Sequence, residues 1–133
     1  MDLNKLTIKS QEALARAQQA ASEHNHQQVE PAHLLAALLA EPEGVVYPLL
    51  QKLGASPRTL MDRVREVIDR IPKVYGQVEI YLSQPTRSLL EQAFLEAENL
   101  GDSYVSTEHV LLALIEQRDE VASLLSDAGI ERT

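Results

Sequence analysis

Apolar residues recur three and four positions apart along this chain, the spacing that places them on one face of an α-helix. Leu14, Ala17 and Ala21 form one such stripe, in a helix expected over about 8–22 with Thr7 as its N-cap. Leu60, Val64, Val67, Ile68 and Ile71 form another, over about 57–71. The same pattern gives helices over about 31–40, 46–53, 86–100 and 120–128, and one that begins after Ser106 and ends near Glu116. Punctuation agrees with these limits. Pro31 and Pro57 suit first helical positions, where the missing N–H has no partner to lose. Gly54, Gly101 and Gly129 each follow a periodic segment, where a left-handed residue closes a helix. Pro72 stops the fourth helix, because it lacks an N–H and crowds the preceding turn. Val and Ile do not fall in period-two runs, so strands are poorly supported. Residues 73–82 have no helical period and read as an extended linker.

The pattern repeats. At an offset of 76, Leu6, Leu14, Ala17, Ala21, Val29, His33, Leu35, Ala37 and Leu38 meet identical residues at Leu82, Leu90, Ala93, Ala97, Val105, His109, Leu111, Ala113 and Leu114. At an offset of 75, Leu49, Leu50 and Gly54 meet Leu124, Leu125 and Gly129. A duplication explains aligned stripes, a His and a closing Gly in the same order. The expected fold is all-α: two pseudo-twofold-related four-helix repeats in one compact domain. Repeat one covers about 1–72, a linker about 73–82, and repeat two about 83–133. Only four residues follow Gly129, so the last helix of the second repeat is expected to be truncated and the chain to be a piece of a longer protein.

Composition narrows the function. A chain of 133 residues, 44% of them apolar, can bury a real core. Its longest apolar run, 34–40, is too short for a membrane span, and no basic-then-apolar leader opens the chain. Absence of Cys excludes a disulfide framework and thiolate metal sites and fits the cytoplasm, the expected location. Twelve Lys and Arg against 20 Asp and Glu give a net charge of −8. No Lys/Arg track offers itself to phosphates, so neither nucleic acid nor a membrane is an expected partner.

Chemistry-bearing motifs are scarce. No glycine-rich phosphate loop and no nucleophile elbow occurs, so no catalytic residue, cofactor or metal is expected. His24 and His26 read as part of a solvated polar loop, a two-ligand metal site being the alternative. His33 and His109 occupy matching sites. Each reads as a ring packed or hydrogen-bonded at its own repeat's helix junction, with a shared metal or catalytic pair as the alternative. Glu108 suits the dipole at a helix N-terminus and Ser106 suits its cap. The functional alternative is a polar rim on a binding groove, in which Asp102, Thr7 and Glu108 cluster and Leu90 or Tyr104 supplies the floor.

Three stretches carry a family resemblance: Leu6-Thr7-Ile8-Lys9-Ser10-Gln11-Glu12-Ala13-Leu14, Val29-Glu30-Pro31-Ala32-His33-Leu34-Leu35, and Gly101-Asp102-Ser103-Tyr104-Val105-Ser106-Thr107-Glu108-His109-Val110-Leu111. Together with the repeat, they resemble the Clp N-terminal domain of AAA+ unfoldases over essentially the whole chain. Arg70-Ile71-Pro72-Lys73-Val74 and the long linker resemble the ClpB-type disaggregase branch more than the ClpC- or ClpA-type branches. The resemblance implies a mobile, non-catalytic helical domain on a hexameric ATPase ring. It also implies that Thr7, Asp102 and Glu108 contact unfolded or aggregated polypeptides, with a hydrophobic groove nearby that is extended here to Leu90 and Tyr104. One departure stands out. Where both repeats of a member carry a Thr-Glu-His element, the acidic residues help bind phosphorylated arginine. Here the first copy reads Pro31-Ala32-His33, and Ala32 cannot pair with a guanidinium.

Two functions follow. One is a substrate-receiving module, an apolar groove with an acidic rim, in which the negative surface attracts basic segments of unfolded chains. The other is a docking module for an adaptor or for the ATPase ring of the parent chain. The isolated domain is expected to be a monomer.

Overall fold

In the computed structural model, which describes residues 2–41, 43–76 and 78–131, helices form where the stripes place them. They are α1 (Ile8–Glu23), α2 (Pro31–Ala40), α3 (Val46–Lys52), α4 (Pro57–Asp69), α5 (Gln84–Asn99), α6 (Thr107–Glu116) and α7 (Glu120–Asp127). Local chemistry sets the ends. Thr7 caps α1 by accepting the Ser10 N–H, and Ser106 caps α6 by accepting the His109 N–H. Gly54, Gly101 and Gly129 take the left-handed φ of +86°, +74° and +85° that closes a helix. Helix α4 ends short of the expected Ile71, because a residue before proline is driven out of the helical region. Helix α5 starts ahead of the expected Thr86, because Ser83 caps it by accepting the Thr86 N–H.

Two features depart from the helix-only reading. Leu3–Lys5 form a 3₁₀ turn. The linker ends in a strand, β2 (Tyr81–Leu82), which pairs in parallel with β1 (Gln28–Val29). Two-residue strands are too short to show an alternating pattern. Gln77 of the linker and the last two residues of the chain lie outside the described residues.

Reciprocal contacts join the halves. Val29 pairs with Leu82, and Leu6 with Val105, positions related by the offset of 76. The Thr7 N–H donates to the Val105 carbonyl at 3.0 Å, and the Ser83 N–H to that of Val29 at 3.1 Å. The hydroxyls of Ser10 and Thr86 reinforce the same two carbonyls at 2.9 and 2.7 Å. When patch i binds patch j while the copy of j binds the copy of i, both junctions are built at once, as in a twofold dimer.

The core runs through both halves. Helix α2 is apolar around most of its circumference, and such a helix must be enclosed. It touches all six of the other helices, and eight of its ten residues are buried. Among the described residues no helix is long and apolar enough to cross a membrane.

Candidate functional site

Beyond α5 the chain turns at Gly101, and the Asp102 N–H donates back to the Ala97 carbonyl at 2.8 Å. This fixes the backbone of Asp102 at the surface. Two residues later Tyr104 stands 60% exposed. Val105 then ties the loop to the N-terminal segment, through the bond from Thr7 and a 2.8 Å bond of its own N–H to the Lys5 carbonyl. Helix α6 follows with Glu108 exposed in its first turn, where the free N–H groups favour a negative charge.

Leu100, Asp102, Ser103, Tyr104, Ser106, Glu108, His109 and Leu112 line one open concavity of about 450 Å³. Leu100 (60% exposed) and the half-buried Leu112 give it apolar surface, and Asp102 and Glu108 give it an acidic rim. Of the five expected contact residues, Asp102, Tyr104 and Glu108 come together here. Thr7 does not line the concavity, and its link to this region is the bond of its N–H to the carbonyl of Val105, the residue after Tyr104. Leu90 is displaced from the expected floor: at 1% exposure it is enclosed in the core, as the buried stripe of α5 dictates. Leu100, Leu112 and the Asp102–His109 contact were not anticipated. Leu112 carries a readable signal, since it sits four residues from both Glu108 and Glu116 on the outer face of α6, an apolar residue on an acidic stripe.

His109 is buried beneath the rim. Its Nδ1 accepts the Ser106 N–H at 2.9 Å, so the neutral ring carries its proton on Nε2, which donates to Asp102 Oδ2 at 2.9 Å. The first repeat holds the same device with a different end. His33 Nδ1 accepts the Glu30 N–H at 2.9 Å, and its Nε2 meets His26 Nδ1 at 2.9 Å. His26 stands where the second repeat has Asp102. The packed-ring reading of His33 and His109 thus holds, while that of His26 is corrected. It is 1% exposed rather than solvated, because the positive φ of Asn25 turns the chain inward. Burial, then His26, then His24 drive the His33 pKa down to about 4. Burial is the first cause that lowers His26 too, followed by the charge of His24. Among the described residues no group of three or more His, Cys, Asp or Glu could hold a metal ion.

Residues 5–128 match the model of the Clp repeat (R) N-terminal domain. Chaperone protein ClpB of Bacillus anthracis is 38% identical over 130 residues, which are 95% of this chain and 15% of that protein. Chaperone protein ClpB of Porphyromonas gingivalis is 40% identical over 129 residues, 97% of this chain and again 15% of the relative. The chain therefore spans about 15% of the length of these curated relatives. Among solved structures, the Hsp104 N-terminal domain of Candida albicans superposes with a TM-score of 0.84 at 24% identity, covering 96% of this chain and 83% of that one. A ClpV N-domain in complex with a VipB peptide superposes with a TM-score of 0.75 at 23% identity, covering 94% and 79%.

Proposed function

Since the chain belongs to the Clp repeat (R) N-terminal domain family, we propose that it is the substrate-receiving domain of an ATP-dependent disaggregase or unfoldase. The observation that carries this reading is the open concavity that Leu100, Tyr104 and Leu112 line together with the exposed acids Asp102 and Glu108. An unfolded segment presents apolar and basic side chains in no fixed order. Leu100, Tyr104 and Leu112 offer apolar contact without sequence demands, and Asp102 and Glu108 offer charge complementarity to Lys or Arg. The parent chain supplies the ATPase, in six copies around a ring. A single open concavity binds weakly, because the ligand loses conformational freedom on binding. Six copies on one ring would restore strength by raising the local concentration.

The ClpV N-domain with its VipB peptide favours a second reading, a docking site for a defined adaptor segment. Peptide titration followed by NMR separates the two. A flexible peptide that alternates Arg with Leu and Phe should shift the signals of Leu100, Asp102, Tyr104, Glu108 and Leu112. Scrambling the peptide at fixed composition should leave affinity unchanged for substrate reception and abolish it for docking. Glu108→Lys should weaken binding roughly tenfold, with the difference shrinking in high salt. Shifts confined to other surfaces would overturn the assignment of this site.

A further inference from the structure

The acidic rim has a support that its sequence does not advertise. Asp102 is half-exposed and short, and a carboxylate in that position ordinarily samples several rotamers. Here three restraints converge on it. Gly101 closes helix α5 with a left-handed turn, and the Asp102 N–H is bound to the Ala97 carbonyl. The buried His109 ring then takes one carboxylate oxygen, Oδ2, at 2.9 Å. The ring is itself buried and held on its other side, where Nδ1 accepts the Ser106 N–H within the capping box of α6. Among the described residues the carboxylate accepts a hydrogen bond at Oδ2 and none at Oδ1, and Asp102 lines the concavity.

We propose that His109 is a positioning residue: it holds the Asp102 carboxylate at the rim with one oxygen free to meet a Lys or Arg of a bound unfolded segment, and this confines cation capture to the second repeat. The inference rests on the substrate-receiving reading above and adds the residue that orients the contact. Holding the carboxylate before the ligand arrives removes an ordering cost from binding.

The first repeat shows what the arrangement lacks without its acid. His33 is held by the Glu30 N–H as His109 is by that of Ser106. Its outward nitrogen meets His26, an imidazole enclosed in the fold, not a surface carboxylate. At the position of Glu108 the first repeat has Ala32, which is buried. Both acidic positions of the rim are thus absent from the first repeat, and each chain should capture one cationic segment, not two.

Two substitutions at one position test this. In His109→Asn the side-chain oxygen can still accept the Ser106 N–H, but nothing reaches Asp102. In His109→Gln the amide nitrogen reaches about where Nε2 lies and can still donate to Asp102, while the cap contact is lost. With the alternating Arg/Leu/Phe peptide as probe, His109→Asn should bind about fivefold more weakly than wild type, and His109→Gln within about twofold of it. Melting midpoints measured beside the titrations show whether binding follows Asp102 or global stability. Asp102→Asn, an exposed change, should weaken binding in the wild type and weaken it by a smaller factor in His109→Asn, where the carboxylate is no longer held. Imidazole ¹⁵N shifts of the wild type should report a proton on Nε2 of His109, and the opposite tautomer overturns the proposal with no variant needed. Two equivalent peptides per chain would overturn the confinement to one repeat. If the peptide moves Asp102, Tyr104 and Glu108 in the wild type and His109→Asn binds as tightly, the positioning role falls and the substrate-receiving reading stands. If those signals never move, both fall.

Discussion

Lowering the pH from 6.5 to 4 should remove about 3 kcal/mol of folding stability through His33 alone. The ring is fully buried, and it accepts the Glu30 N–H on Nδ1 while its Nε2 faces His26 at 2.9 Å. A proton added to Nδ1 would set donor against donor, and the charge would sit among two further imidazoles without solvent. The fold therefore holds the His33 pKa near 4, against 6.5 for an unperturbed histidine. Above 6.5 the ring is neutral in both the folded and the unfolded chain, and the stabilisation is complete. Between 6.5 and 4 the unfolded chain takes up a proton that the folded one refuses, so stability falls as pH falls, levelling off below the folded pKa. His26 contributes in the same direction. Its Nε2 is buried near the Ile71 backbone in no well-formed hydrogen bond, and Lys73 adds to the lowering while Asp69 opposes it. Urea unfolding at a series of pH values measures the slope. His33→Asn keeps an acceptor for the Glu30 N–H but cannot titrate, so its slope should be shallower by about one proton across the window. An equal slope in the variant would show that other groups cause the acid sensitivity.

These histidines also mark how far the sequence could be read. Helix positions were legible because period, caps and closing glycines agree at each end: Thr7, Ser106, Gly54 and Gly129 all behave as their types require. The inward turn at Asn25 was not legible. His24-Asn25-His26 has the composition of a solvated loop, and only tertiary packing sets His26 against His33. The parallel pairing of Val29 with Leu82 was equally silent, since two residues carry no period. In the concavity, charge was readable and depth was not. Asp102 and Glu108 follow a closing glycine and an N-cap, which put them at the surface. Leu90 lies on a stripe that fits either a core or a groove floor, and the packing of α5 against α6 encloses it. The Asp102–His109 contact spans seven residues and a loop, beyond the reach of helical spacing, although the matching His33 hinted at a shared role.

Leu35→Ala and Leu111→Ala occupy equivalent positions in the two halves, and each should cost about 3 kcal/mol and lower the melting midpoint by roughly 10 °C. Leu35 is fully enclosed in α2 and Leu111 nearly so in α6. Removing either side chain forfeits its transfer free energy and leaves a void that close-packed helices cannot fill completely. The sharper consequence concerns cooperativity. If each repeat were a separate folding unit, Leu35→Ala would melt the first half and leave α5–α7 folded, giving two transitions. The packing argues for one. Helix α2 touches α5, α6 and α7 as well as the helices of its own half, and α4 packs on α7. The reciprocal bonds of Thr7 with Val105 and Ser83 with Val29 require both halves to be folded. Each variant should therefore unfold in one transition, with helical circular dichroism and Tyr104 fluorescence, one signal global and the other from the second half, falling together. Tyr104 is not the only tyrosine, so the fluorescence is read in a background where Tyr47, Tyr75 and Tyr81 are changed to Phe. A Leu35→Ala protein whose Tyr104 signal survives the loss of most of its helix would show that duplicated halves can sit side by side without sharing one folding transition.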